Sequence, residues 1–434
     1  MLLNVLSILT FLLLFWALTR SIRVFLISPI YIFVGFYSAV LFLSPLYHFN
    51  YPEKFSLAGV DEITNAEFWQ VWFQYLHSLI FFMIGTLWYY ENRTKRVKLL
   101  FNRSYNSTLF TRIKVPNAIK WVGIILVVTL VLFYAAAYGG KLFYRSEYIP
   151  DLALKALVSL AKILSFIAGI VLGLYYSKNK TLSSLLIALV VLANIATGSR
   201  VSFVVLVLFF LVRFISSTYS GKNLMRFSLN MSFAFVLLSF VMTLRKMTKH
   251  GLGPYLEVLY LDTGTLLKSI AFNLYYTFVF GLYATQRTLE LAPADWKVIS
   301  LSLNPLLGKQ IGWYNYVPDL MITPFMPYTF HGQVFNMGPL FSALLFLVIG
   351  SIFCSFERRI RQLFDKKKRV FALVLVLLLA LFVFYSFEYH LRSAVRYIYY
   401  SYFVLFVAWG FRQLFQLIPK KTNVKTYTSD RTIT

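Results

Sequence analysis

Thr197-Gly198-Ser199-Arg200 stands between two apolar runs and carries the first chemical signal in this chain. A guanidinium at membrane depth can grip a phosphate through two parallel N–H donors. Ionisable groups at such depth mark functional sites by default. The bland alternative is an arginine that snorkels to the interface while Gly198 makes the turn. A second arginine, Arg245, ends a later apolar run and opens a long polar stretch, residues 245–338. That stretch begins with Arg245, Lys246, Lys249 and His250, and closes with Tyr328, His331, Gln333, Asn336 and Gly338. Cations and imidazoles at both ends of one aqueous loop point to an anionic, lipid-borne substrate. His331 titrates in the range a general base needs; its alternative is a loop histidine bonded to backbone.

A third cluster runs from Glu388 through His390 and Arg392 to Arg396. Arg392 and Arg396 are four apart and share a helix face. Glu388 and His390 would neutralise or orient them, either as a capped helix junction or as a second phosphate or sugar contact. Lys155 and Lys162 lie seven apart on one face of an apolar run, where lysines line a cavity or pair with an acid. Trp313, Tyr314, Tyr316 and Tyr328 can stack on sugar rings, although an interfacial aromatic belt uses the same residues. Asp61 and Glu62 form an acidic pair in a connector.

These groups need a membrane scaffold. The chain has 434 residues, 59% hydrophobic and only 13% charged, against roughly 25% charged in soluble domains. Mean hydropathy is +0.69. Several runs reach the ~20 apolar residues that cross ~30 Å of hydrocarbon. The pattern predicts an all-α, polytopic membrane protein with eleven spans. They fall near 2–19, 24–45, 68–90, 119–138, 153–176, 182–198, 201–217, 227–244, 339–356, 370–387 and 394–416.

The organisation is then an N-terminal set of about eight spans (1–244), a large external loop with interfacial helices (245–338), three C-terminal spans (339–418) and a cytoplasmic tail (419–434). The formal charge of +26 does not signal nucleic acid, because most Lys and Arg lie in connectors, above all 91–117 and 357–369. There they set orientation and meet anionic headgroups. The positive-inside rule puts those connectors in the cytoplasm, the N-terminus outside and the C-terminus inside. Residues 269–283 are apolar enough to pass for a span. A lone crossing there would move 357–369 outside, so they are expected at the interface or re-entrant within protein. The first run, 2–18, lacks a basic n-region and a cleavage site, and reads as a retained span. The single Cys354 precludes an intrachain disulfide. No Walker A motif, Cys/His metal spacing, dinucleotide fingerprint or G-x-S-x-G elbow occurs.

The T-G-S-R turn between spans, Arg245 before one large loop, and the loop end His331-Gly332-Gln333-Val334-Phe335-Asn336-Met337-Gly338 together resemble oligosaccharide repeat-unit polymerases of the Wzy type and the related O-antigen ligases. The resemblance implies a GT-C-like, all-helical glycosyltransferase in a bacterial inner membrane, with its active site on the periplasmic face. Its substrates would be undecaprenyl-diphosphate-linked oligosaccharides as donor and acceptor. It implies no metal and no cofactor, since the leaving group is already a diphosphate, and it implies a chain-length regulator and a flippase as partners. Arg200 and Arg245 would stabilise the leaving oxygens, with His331 as base. Arg392, Arg396, His390, Glu388, Asn336, Lys162 and Tyr328 would contact substrate. A ligase and a flippase for the same lipid-linked unit are the alternatives. A flippase predicts two similar halves with matching broken helices, which this sequence lacks.

Overall fold

The computed structural model describes residues 2–24, 27–51, 55, 63–103, 115–148, 150–199, 201–217, 220–244, 247–257, 263–323, 326–366 and 368–417. Among these the chain forms α1 (Leu2–Ser21), α2 (Pro29–Asn50), α3 (Asn65–Glu91), α4 (Lys95–Asn102), α5 (Ile119–Tyr138), α6 (Lys155–Tyr175), α7 (Lys180–Ala196), α8 (Val201–Ile215) and α9 (Gly221–Leu244). The long loop adds α10 (Leu252–Glu257), α11 (Thr263–Phe278), α12 (Phe280–Leu291), α13 (Trp296–Leu303), the hairpin β1 (Met321–Thr323) and β2 (Met326–Pro327), and α14 (Phe330–Asn336). The chain then continues with α15 (Pro339–Asp365), α16 (Arg369–Glu388) and α17 (Leu391–Leu417).

The protein is a multi-pass helical membrane protein, and among the described residues the small hairpin is the one departure from helical elements. Eight of the described helices are long and apolar enough to cross a bilayer: α1, α2, α3, α5, α6, α9, α15 and α16. A helix and each of the eleven expected spans coincide in position. The other three depart from a simple crossing for visible reasons. Helices α7 and α8 have 17 and 15 residues, about 26 and 23 Å at ~1.5 Å per residue. Helix α17 is long enough but carries Arg392 and Arg396 in its first turns.

Local sequence starts these helices. Thr64 and Glu67 close a capping box at α3. Ser28 caps α2 ahead of Pro29, where a missing N–H costs nothing. Asn179 caps α7, Asp295 caps α13 and Thr329 caps α14.

Packing divides the helices into two bundles. One buries Val127, Leu130, Ala168, Leu172, Val190 and Val205 among α5 to α9. A buried relay ties it, with Tyr134 donating to Asn194 at 2.9 Å and Asn194 donating to Ser165 at 3.0 Å. The other is a larger aromatic core of α2, α3, α12, α14, α15 and α16, including Phe33 stacked on Phe82 at 3.9 Å. Helix α11 bridges them, packing on α9 and on α2.

The apolar stretch 269–283 lies across α11 and α12, which break at Val279. Tyr275, Val279, Phe280, Leu282 and Tyr283 are buried in the aromatic core. Neither helix, at 16 and 12 residues, has the length of a single crossing.

Candidate functional site

At one end of the seam between the bundles lies a cavity of about 660 Å³. One wall comes from the first bundle and its connectors: Tyr138, Tyr148, Lys155, Lys162, Thr197 and Ser199. The opposite wall brings Tyr276 of α11 and Tyr389, which follows α16. Lys155 is 75% exposed and pairs with Asp151 at 2.9 Å. Lys162 is half-buried one face-repeat further along α6, without an acidic partner among the described residues. The two lysines share a cavity with the T-G-S turn; their spacing predicts one helix face, and the meeting with the turn comes from the packing. Lys155 is not buried, because its tip reaches solvent at the helix start.

The turn is built for its place. Gly198 has φ +70°, and a Cβ there would stand 2.7 Å from the Tyr148 ring. Tyr148 donates to the Gly198 carbonyl at 2.9 Å. Gly198 N–H returns to Ile195 O and Ser199 N–H to Asn194 O, satisfying carbonyls that the end of α7 leaves open.

Arg145, which sequence reading passed over, holds the same turn from below. It is buried and donates to Ala196 O at 2.8 Å, Lys141 O at 3.1 Å and Glu147 O at 3.1 Å. Its backbone pairs both ways with His250 at 2.8 Å, and its guanidinium lies over Tyr138. Burial, and then the Arg145 charge, push the His250 pKa down. No periodicity could expose Arg145; an isolated arginine between Gly139-Gly140 and the tyrosines was the available hint.

Arg200 and Arg245, the two arginines read as phosphate grips, lie outside the described residues, as do Lys246, Asp61, Glu62 and the tail 418–434. Ser199 and Val201, the chain neighbours of Arg200, line the cavity.

The remaining candidates separate. His331 is 0% exposed, stacked against Tyr75 at 4.3 Å and Phe346 at 5.4 Å. Its Nδ1–H donates to Ser386 O at 2.9 Å. Burial pushes its pKa down from 6.5 to about 3, against a smaller upward pull from the Ser386 carbonyl. It has the alternative, backbone-bonded character, because desolvation keeps the ring neutral and away from solvent. The folded value lies below the unfolded one, so protons prefer the unfolded chain. Stability is then full above pH 6.5 and falls as pH drops from 6.5 toward 3. Acid titration of the melting temperature should show this slope, and His331→Phe should flatten it; an equal slope in both would assign it elsewhere.

Arg392 and Arg396 do not act as a pair. Arg392 is 5% exposed, and its guanidinium donates to the carbonyls of Leu301, Asn304 and Leu306, ending α13. Arg396 stays exposed, near Ser393 Oγ at 3.4 Å. The four-residue spacing is real, but Arg392 is consumed by three backbone carbonyls at the end of α13. His390 Nδ1 accepts from Ser393 N–H at 3.2 Å, capping α17, and burial pushes its pKa down to about 4. Asn336 donates to Ala292 O at 2.8 Å and closes α12. Glu388 sits half-buried at the same junction. Tyr328 is buried with Val298, Trp313 and Leu320, a small core under the loop. Among the described residues, no three His, Cys, Asp or Glu side chains gather as metal ligands would.

The fold and this cavity define a class: a multi-pass helical membrane protein with a lysine-bearing cavity at the end of its bundle seam. No family model, curated protein or solved structure matches the chain.

Proposed function

We propose that this protein is a membrane glycosyltransferase that polymerises lipid-linked oligosaccharide units. It moves a growing glycan from polyprenyl diphosphate to the non-reducing end of a new lipid-linked unit. With eleven spans, the positive-inside rule would put the basic connectors in the cytoplasm and the loop end, with the cavity, on the outer face of a bacterial cytoplasmic membrane. The observation that carries this reading is the cavity holding Lys155 and Lys162 beside the Thr197–Ser199 turn. Cations at the mouth of a helical seam suit a diphosphate whose lipid tail stays in the bilayer.

As the glycosidic C–O bond to the diphosphate breaks, negative charge builds on the leaving oxygens. Fixed cations aimed there lower the barrier. Arg200, adjoining the turn, and Arg245 are the proposed grips, with Lys162 as an added cation. The acceptor hydroxyl forms the new glycosidic bond, and its proton passes to solvent or to the departing diphosphate. His331 contributes packing in this scheme, since no acceptor reaches it.

The test is reconstitution in liposomes with a polyprenyl-diphosphate-linked repeat unit from the host, with chelator and without nucleotide. A ladder of glycan lengths is expected. Arg200→Ala should reduce it by on the order of 10²–10³, and Arg200→Lys should restore it in part, since a point charge loses the two-point grip. Lys162→Ala should weaken turnover by about tenfold, the share of one charged hydrogen bond. A full ladder from Arg200→Ala would sink the assignment. Unchanged substrate with folded wild-type protein would turn the reading toward a ligase lacking its acceptor, or a flippase.

A further inference from the structure

We infer that a second cavity, beside Gln333, binds the ring of an uncharged sugar. Its volume is about 220 Å³, and Asp295, Tyr316, Asp319, Tyr328 and Gln333 line it. At ~30 Å³ per water this is about seven waters' worth of space, enough for one six-membered ring and not for a chain.

Gln333 supplies the observation that points to a ligand. It is 5% exposed, and its Oε1 accepts from Leu391 N–H at 2.8 Å. That bond fixes the amide's orientation and leaves Nε2 as a buried donor with no partner. A buried N–H without an acceptor costs about 1–3 kcal/mol, so the site is built to have one supplied.

The other groups divide by what already occupies them. Asp295 accepts from the backbone of Lys297 and Val298, and Tyr316 is bonded to Lys297. The Asp319 carboxylate has no basic partner among the described residues. It lies near enough to Tyr328 to help burial raise that hydroxyl's pKa. The cavity thus offers an amide donor, a phenol that donates or accepts, and a carboxylate that only accepts. Neighbouring sugar hydroxyls each donate and accept, and they match that set. An anionic sugar would meet Asp319 and be repelled.

The frame is rigid. Tyr328 N–H bonds Leu320 O at 2.9 Å, Asn336 closes α12 at Ala292, and Arg392 holds the end of α13. Tyr389 lines the lysine cavity, and two residues on, Leu391 N–H anchors Gln333, which lines the second cavity. Service as an acceptor subsite rests on the function proposed above; sugar binding as such does not.

The test uses the full chain in detergent, without lipid-linked substrate. Methyl glycosides of the common hexoses and N-acetylhexosamines, with methyl glucuronide as the charged comparison, are titrated by saturation-transfer NMR. At least one neutral glycoside should bind saturably in the millimolar range. Asp319→Asn should weaken it tenfold or more at unchanged melting temperature, and Gln333→Met, which removes the donor without adding charge, should weaken it likewise at a lower melting temperature, because Leu391 N–H loses its acceptor. Absence of saturable binding by every neutral glycoside overturns the inference, as does binding that survives both substitutions or favours the glucuronide. An intact glycan ladder with no sugar binding would remove this site and leave the polymerase reading standing. Sugar binding without a ladder would do the reverse.

Discussion

Arg361→Ala will destabilise the protein by about 3–5 kcal/mol, the usual cost of breaking a buried ion pair from one side. Arg361 and Glu357 both have 0% side-chain exposure, and they meet at 2.6 Å. The guanidinium also donates to Phe101 O at 2.6 Å and Arg23 O at 2.8 Å, while Ser28 donates to the other Glu357 oxygen at 2.7 Å. One arginine thus joins the start of α2, the end of α4 and the end of α15. Its removal leaves a buried carboxylate without a counter-charge and takes a donor from the carbonyls of Phe101 and Arg23. The double change Glu357→Gln with Arg361→Met should lose much less, because no unpaired charge remains. Thermal melting in detergent measures both. A single variant melting like wild type would show that the pair is dispensable.

Gly350→Leu will drive α3 and α15 apart and abolish the folded, monodisperse protein. A Cβ built on Gly350 lies 2.0 Å from Phe82 O, and one on Gly85 lies 2.0 Å from Leu347 O. Each helix meets the other's backbone, as small residues allow in membranes. Ser351 donates to Gly85 O at 3.0 Å and Thr86 to Gly350 O at 3.2 Å across the same contact. Separation would also open the Phe33–Phe82 and Phe82–Phe353 ring contacts. Gly350→Ala already overlaps backbone and should cost about 3 kcal/mol, the upper range for overpacking. Ser351→Ala, which removes one hydrogen bond, should cost about 0.6 kcal/mol. Size-exclusion profiles after graded heating report all three. A Gly350→Leu protein with wild-type stability would mean that the helices are not in backbone contact.

The sequence located the helices well because apolar run length is a local property. Each expected span has its helix, and Lys155 and Lys162 lie on one face as their spacing foretold; their meeting with the T-G-S turn was not legible, because it depends on how α6 packs beside the end of α7. What failed to show was partnership across long separations. Arg361 belongs to a basic run that looked uniformly topogenic, yet it is a core residue because the carbonyls of Arg23 and Phe101 need it. Arg392 and Arg396 have the same type and face, and only the position of α13, some ninety residues earlier, makes one of them a clamp. His331 sits in a segment read as aqueous, but α14 is pressed into rings from α3 and α15. The unpartnered nitrogen of Gln333 is a property of a bond to Leu391, which no local pattern encodes.

The lysine cavity draws Lys155, Lys162 and the Thr197–Ser199 turn from one bundle, and Tyr276 and Tyr389 from the other side of the seam. A ligand filling it would therefore bridge the two bundles. A molecule that touches both walls favours one setting of the two bundles, and that setting in turn raises affinity for the molecule. Occupancy of the cavity and alignment of the bundles would then be a single equilibrium.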